Sequence, residues 1–416
     1  MNNDVTYGYI TACQVCGSTP LSTVLSLGHQ APVHAHLTKD KLHQAETLYP
    51  LNLCRCNKCG LMQLDYIVDP KIIFYPEYPY FSGMTNMLIN DFRALRDTLI
   101  TNYGLKSGDL VVDIGSNDGT LLKGFKEKGM RVLGVEPTNV GKVAIANGIP
   151  TIQEFFNKTT AEKIASQYGR AKAITATNMF AHVDKPIKLA TGIADILADD
   201  GIFVSESQYL ADMIKKTALD TIYHEHLRYY SLKPLQILIE SANMSVVDAE
   251  YIEAAGGSIR VYAKKGSHPL SERAQQMLDE EEKMGILDGR AFENFETKIN
   301  KAKQNLLTLI LDCKKSGSRI VGIGAPGRSN TLLGYTHIDN TLLDYAVEKK
   351  GSPKIGLFTP GTHIPIIDEE KLFTDQPEYG LLLSWHIADE LTKKLRALGF
   401  RGKFIVPLPE AKILEI

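Results

Sequence analysis

The chain has 416 residues, 44% of them hydrophobic and 23% charged, with a net charge of -2. That length is too great for one ordinary domain and predicts two or three. Interspersed acids and bases exclude a nucleic-acid binder that works by bulk charge. No apolar run approaches the roughly 18 to 20 residues of a membrane helix, so no membrane partner is expected. The N-terminal MNNDVTYGYI lacks a basic start followed by an apolar segment, so a cytoplasmic protein is expected.

In chain order, residues 1–72 are turn-rich and hold five of the six cysteines. Cys13 with Cys16 and Cys56 with Cys59 form two CxxC pairs, each followed by glycine. Clustered cysteines of this kind read as metal ligands, and four thiolates suit a structural Zn2+. Cys54 is the spare. Residues 84–103 predict an amphipathic helix, because Leu88, Phe92, Leu95 and Leu99 recur at helical spacing. LVVDIGSNDGTLLKGFKEKGMRVLGVEP then reads strand, glycine turn, helix, strand, the start of a parallel sheet. AITATNMFAHV and GIFVSESQYL read as later strands of that sheet. A long helix is predicted over 292–310, and RIVGIGAPGRSNTLLGY starts a second strand-loop-helix unit. The predicted class is α/β. A zinc-binding segment (1–72) precedes a central Rossmann-like α/β segment (73–250), and a second Rossmann-like segment (251–416) follows.

Four motifs carry chemistry. Asp113, Gly115 and Gly119 give DxGxxxG at a strand's carboxyl end, with Ser116, Asn117 and Asp118 in the loop. Glycines let the backbone approach a ligand there. Glu136, followed by Pro137, ends the next strand, where a carboxylate can take both hydroxyls of a ribose. Together they fit S-adenosylmethionine (SAM). In NMFAHV, Asn178 and His182 fall at the same carboxyl edge. In DTIYHEHLRYYS, the two histidines beside Glu225 are poorly spaced for a shared metal on a helix. A histidine base oriented by a carboxylate, with tyrosine hydroxyls as oxyanion donors, fits better. The residues alone leave open whether His224 or His226 faces the substrate. GIGAPGRSNTLL combines a glycine loop, a helix start and Arg328, an anion site in which a pyrophosphate is the natural tenant. No acid-ended second strand comparable to GVEP is expected after it. Arg260 of GGSIRVY, Asn330, Thr362 and His363 of TPGTHIP are further candidate ligand contacts.

These motifs, with PEYPYFSG and CGLMQL, make the chain resemble the nucleotide-sugar C-methyltransferases of deoxysugar biosynthesis. The resemblance covers nearly the whole sequence and implies a zinc-binding domain over 1–72, a SAM-binding methyltransferase domain over 73–250 and a nucleotide-sugar-binding Rossmann-like domain over 251–416. It implies SAM-dependent methylation of carbon 3 of a 4-keto-6-deoxyhexose linked to thymidine or guanosine diphosphate. It also implies His226 as the general base, accompanied by Tyr223, Glu225 and His182, and by Tyr78 or Tyr80. His224, Arg260, Arg328, Asn330 and His363 would then lie on the substrate side. Family members often read HGGS where this chain has Ala255-Gly256-Gly257-Ser258, and AAAKGNT where it has APGRSNT. The alternatives are a SAM-dependent O- or N-methyltransferase of a nucleotide sugar, or an NAD-binding protein using the second glycine loop.

Overall fold

The computed structural model describes residues 7–74, 81–84 and 86–414. Tyr78 and Tyr80 lie outside these. In chain order the strands are β1 (Gly8–Tyr9), β2 (Leu21–Gln30), β3 (Tyr49–Cys56), β4 (Met62–Leu64), β5 (Tyr66–Ile67), β6 (Leu110–Ile114), β7 (Arg131–Val135) and β8 (Thr151–Ile152). There follow β9 (Ala171–Thr177), β10 (Leu197–Gln208), β11 (Arg228–Tyr229), β12 (Met244–Ile252) and β13 (Ser258–Lys265). The last are β14 (Ile320–Ile323), β15 (Ala346–Glu348), β16 (Ile366–Asp368), β17 (Tyr379–Leu382), β18 (Lys403–Val406) and β19 (Lys412–Leu414).

Three sheets organise the chain, with β1 and β5 as a separate antiparallel pair. The central sheet runs β12-β13-β10-β9-β6-β7-β8. All five residues of β6, LVVDI, are buried, as expected of a parallel strand covered on both faces. Helix Asn86–Tyr103 lays Leu88, Phe92, Leu95 and Leu99 against Leu121, Leu122 and Phe125 of the helix after β6. Truncating a core leucine such as Leu95 costs about 2–5 kcal/mol. The C-terminal sheet runs β16-β15-β14-β17-β18-β19, parallel except at β19. β6 and β14 each have later strands on both sides, so each carboxyl end is a topological switch point where ligands bind. The two glycine loops occupy these two places.

Two departures from the expected segmentation follow from strand pairing. The division at 250/251 falls inside a hairpin: β12 and β13 pair in one sheet, and β13 pairs with β10. The segment from 251 onward therefore gives its first strand to the central sheet. In the other direction, β11 pairs with β4 and completes the N-terminal sheet, order β11-β4-β3-β2. The long helix spans Phe295–Lys315 and buries Phe295, Ile299, Ala302, Leu306 and Ile310. It starts after 292 because Arg290–Phe292 is a separate 3-10 turn. Among the described residues no helix is long and apolar enough to cross a membrane.

Candidate active site and metal centre

The four paired cysteines converge. The ligand atoms of Cys13, Cys16, Cys56 and Cys59 all lie within 4.8 Å of one another. Gly17 and Gly60 follow the pairs at φ 71° and 75°, and each N–H donates back to the first cysteine's carbonyl. A side chain would be strained at either position, which explains the glycine after each pair. Four sulfurs so placed fit tetrahedral Zn2+ and leave it no open position. Cys54 instead points its thiol to Thr23 Oγ1 at 3.7 Å, and burial pushes it up to about 11. It is no ligand.

The first glycine loop follows β6. Gly115 and Gly119 have φ 76° and 78°, and Asn117 sits at φ 49°. Asp113 is buried and accepts from Thr175 Oγ1 at 2.6 Å, and burial pushes its carboxyl up to about 7. Glu136 closes the loop: its Oε2 accepts from Asn117 N at 3.1 Å, its Oε1 from Thr138 N and Oγ1 at 2.9 and 2.7 Å. The loop side chains have structural partners too. Asn117 Oδ1 and Asp118 Oδ2 accept from Ser82 N and Gly83 N, both at 2.8 Å. Ser116 Oγ is buried with no hydrogen-bond partner. A curved glycine loop with a carboxylate at the next strand's end and an orphan hydroxyl fits SAM's amino-acid and ribose ends.

NMFAHV links this loop to the YHEH segment. A Cβ on Gly115 would meet Met179 Cγ at 2.7 Å. Asn178, at φ 53°, donates its backbone N–H to Glu206 O at 2.8 Å. Three residues after Met179, the His182 ring stands 4.9 Å from that of His226, at 70°. Burial lowers His182 to about 4, and its Nδ1 has no hydrogen-bond partner.

YHEH is an irregular turn between a 3-10 turn at Leu219–Thr221 and β11. His226 Nδ1 lies 3.2 Å from the Thr221 carbonyl, which can only accept. Nδ1 therefore carries the proton, and Nε2 is left as the acceptor for the Tyr223 hydroxyl at 2.8 Å. Burial, and then the neighbouring His182, hold His226 well below the ordinary imidazole value. The segment thus presents a neutral imidazole of fixed tautomer beside a phenol.

Several expected substrate contacts are occupied elsewhere. His224 turns to the N-terminal sheet: Nε2 lies 3.2 Å from Pro50 O, and the ring stands edge-on to Tyr49. The segment is a tight turn, with His226 N donating to Tyr223 O at 2.9 Å, and the two histidines face different neighbours. Arg260, 2% exposed, is locked between Glu206 and Asp91, both 2.7 Å from its Nη2. Arg328 was expected on a phosphate. Its fork instead holds buried Asp220, with Nε to Oδ2 at 2.7 Å and Nη2 to Oδ1 at 3.0 Å. Trp385 Nε1 donates to the same carboxylate at 2.8 Å. His363 Nε2 pairs with Glu46 Oε1 at 2.6 Å. Asn330 donates its amide N–H to Val33 O at 2.7 Å.

Three contributors were missed. His34, from the N-terminal segment, places Nε2 3.7 Å from Glu225 Oε1 and lies against Gly327, where a Cβ would meet its ring at 2.5 Å. No motif marks it. Asp220 opens the DTIYHEHLRYYS stretch, and nothing in the sequence pairs it with Arg328 or Trp385. Glu348 ends β15 and accepts from Ala325 N in the second glycine loop at 2.9 Å, as Glu136 does from Asn117 in the first. An acid-ended second strand does follow the second loop. A three-residue strand, AVE, hid it.

Family models match three consecutive stretches: "Putative zinc binding domain" at 13–74, "Methyltransferase domain" at 87–249, and "C-methyltransferase C-terminal domain" at 253–409. The curated protein C-methyltransferase NovU of Streptomyces niveus is 33% identical over 411 residues, covering 98% of this chain and 97% of NovU. Among solved structures, the magnesium protoporphyrin IX methyltransferase of Synechocystis PCC 6803 with bound S-adenosylhomocysteine is 13% identical. It covers 48% of this chain and 100% of its own, at a TM-score of 0.37. A SAM-dependent methyltransferase of Clostridium acetobutylicum is 11% identical, covering 44% and 94%, at 0.35.

Proposed function

The chain belongs to the C-methyltransferase family and is SAM-dependent, and we propose that its acceptor is carbon 3 of a nucleoside-diphosphate 4-keto-6-deoxyhexose. The observation that carries this reading is the Tyr223–His226–Thr221 arrangement. A carbon acid needs a base that is neutral at working pH and a donor for the oxygen that gains charge. His226 offers an unprotonated Nε2, its tautomer fixed by Thr221 O at 3.2 Å. The phenol that donates to that Nε2 is 2.8 Å away.

In this reading Nε2 of His226 takes the carbon 3 proton. The electron pair left behind moves onto the 4-keto oxygen as an enolate. Tyr223, released from Nε2, donates its O–H to that oxygen. His182 packs beside the imidazole and excludes water from it. When bound, SAM supplies an electrophilic methyl whose bond to sulfur breaks as the bond to carbon 3 forms. Glu136 and the 115–119 loop would hold it, so positioning supplies much of the rate. Zn2+ at the four cysteines takes no part in the chemistry. All six cysteines are unbridged, which suits a cytoplasmic setting.

The test is incubation with SAM and a panel of thymidine- and guanosine-diphosphate 4-keto-6-deoxy sugars, read by mass spectrometry for one added methyl. Without SAM, the enzyme should exchange the carbon 3 proton with deuterated solvent, and His226→Asn should not. Methyl gain without any exchange would point to an oxygen or nitrogen acceptor and sink the carbon 3 assignment.

A further inference from the structure

Arg228 opens β11, two residues after His226, and is 1% exposed. A buried cation needs partners. Its Nε donates to the Tyr230 hydroxyl at 2.9 Å and its Nη1 to Gln14 Oε1 at 2.7 Å. Its Nη2 donates to Phe180 O at 3.3 Å and to Val183 O. Among the described residues these partners are all neutral oxygens, whereas Arg260 and Arg328 close on carboxylates. With no opposite charge to hold, the rigid fork of Arg228 serves shape: it fixes where these oxygens stand.

We propose that Arg228 is a positioning residue for methyl transfer, setting His182 against His226 while Gln14 of the first cysteine pair aims it. The inference rests on the function proposed above. Placement is the first argument. His182 ends the 3-10 turn Phe180–His182. The two carbonyls that Arg228 grips flank this histidine, so the turn cannot rotate without breaking a bond to a buried charge. Between His226 and Arg228, Leu227 donates its N–H to Ala181 O at 2.9 Å, and its carbonyl accepts from Leu64 N at 2.9 Å. Backbone and side chain thus bind the two histidine segments at successive residues, and the rings stand 4.9 Å apart. Burial, with a smaller push from the Arg228 charge, keeps the His182 ring neutral.

The second argument is what holds the other side of the fork. Gln14 lies between Cys13 and Cys16. Its Oε1 takes the Arg228 N–H, its Nε2 stands 3.5 Å from Asp184 O, and its backbone N–H donates to Gln63 Oε1 at 2.9 Å. Gln63, fully buried, donates in turn to Ala12 O at 3.3 Å. One amide inside the cysteine pair therefore meets both Arg228 and the residue after Val183. Glutamine suits this place, because it supplies an acceptor for the guanidinium and a donor for a carbonyl. The shape of the Cys13–Cys16 turn is thereby carried to the His182 turn. The chemistry of methyl transfer proposed above calls on neither Gln14 nor Arg228.

The experiment compares Arg228→Lys, Gln14→Ala and Gln14→Glu with wild type, each as zinc-loaded full chain. The readouts are kcat and KM with SAM and the 4-keto-6-deoxy nucleotide sugars, zinc content, S-adenosylhomocysteine affinity, and the histidine ring signals in NMR. Arg228→Lys keeps the charge and loses the fork; kcat should fall about ten-fold or more, because small misplacements of reacting groups are costly. Gln14→Ala should lower kcat about three- to ten-fold. Gln14→Glu, which keeps an acceptor for Arg228, should recover most of that. KM should stay within about two-fold, as expected when binding is untouched. Zinc content and S-adenosylhomocysteine affinity should not change. The ring signals of His182 and His226 should move in Arg228→Lys and Gln14→Ala, and that of exposed His268 should not. If Arg228→Lys does not fold, the two Gln14 variants decide alone. Wild-type kcat with unmoved rings would overturn the proposal. So would a loss of activity that tracks loss of zinc or of S-adenosylhomocysteine affinity, since both residues would then be structural supports. Moved rings in a chain that methylates no such sugar would count against the proposed reaction and leave the positioning role standing.

Discussion

His34 of the zinc-binding segment stands 3.7 Å from Glu225 in the YHEH turn. Its backbone is pinned from the other side, since Asn330 donates to Val33 O and Leu37 bridges to Phe358. One side chain therefore joins the N-terminal segment, the YHEH turn and the second glycine loop. His34→Ala should lower kcat roughly ten-fold, the equivalent of about 1.4 kcal/mol. KM should change little, and the zinc content not at all. His34→Gln, which keeps a donor, should recover part of the rate. Steady-state kinetics with metal analysis checks this, and wild-type kcat in His34→Ala would remove the positioning role.

Tyr223→Phe removes the hydroxyl that partners His226 Nε2. Loss of an acid–base or oxyanion group costs about 10²–10⁴ in rate. The loss should fall on kcat more than on binding. Solvent exchange at carbon 3 reports it without the methyl-transfer step. An exchange rate within two-fold of wild type would count against Tyr223.

The Asp220–Arg328 pair predicts a stability effect. Asp220 is fully buried, and removing its charge strands the Arg328 guanidinium in its place. Breaking a buried pair costs about 3–5 kcal/mol. Asp220→Asn should therefore lower the denaturation midpoint clearly. Arg328→Lys keeps the charge but loses the fork, so it should cost less. Denaturant titrations of both variants order the two effects, and the reverse order would be inconsistent with the geometry.

Acid should weaken the fold. Burial lowers His36, His182, His224 and His386 to about 4 and leaves His34 and His226 well below 6.5. Unfolded, each regains a value near 6.5 and binds more protons than the native state below it. Their contribution is complete above about pH 6.5 and fades as pH falls toward 4. Asp113, Glu206 and Glu281, raised by burial to about 7, act oppositely, losing stability as pH rises from about 4 to 7. Six histidines outweigh these three carboxyls, so stability should drop between pH 6.5 and 4. For the same reason the acidic limb of kcat should lie below 6.5. Denaturation midpoints and a pH–rate profile measure the two independently.

Metal removal should reach the active site. β11 begins two residues after His226 and pairs with β4, which follows the Cys56–Cys59 turn. Chelation or Cys56→Ser should lower both the melting temperature and kcat, since a structural zinc site contributes folding energy outright. Full activity in zinc-free protein would show that the N-terminal sheet stands without its metal.

The sequence was most informative where one residue type answers one physical demand. CxxC-Gly predicted the cysteine cluster because sulfur spacing and a left-handed glycine leave few alternatives. DIGSNDG predicted the loop because a close backbone approach needs Gly115 and Gly119. It was least informative where a polar residue has two uses. Arg260 and Arg328 look like anion binders in sequence; only the fold brings Glu206 and Asp220 to them from 54 and 108 residues away. His34 was invisible for the same reason: its meaning comes from a contact with Glu225, almost two hundred positions later. Glu348 was lost because a strand of three residues leaves too short a pattern to read.

The exchange of strands between segments has an evolutionary side. β11 lies in the N-terminal sheet, although its sequence belongs to the methyltransferase stretch, and β13 in the central sheet, although the C-terminal stretch encodes it. A recombination that swapped any one stretch for a foreign copy would have to re-form the β11–β4 or β13–β10 pairing across a new junction. Lineages of this fold should therefore trade substrates by changing loops and cavity walls, and pass on the three stretches as a single inheritance.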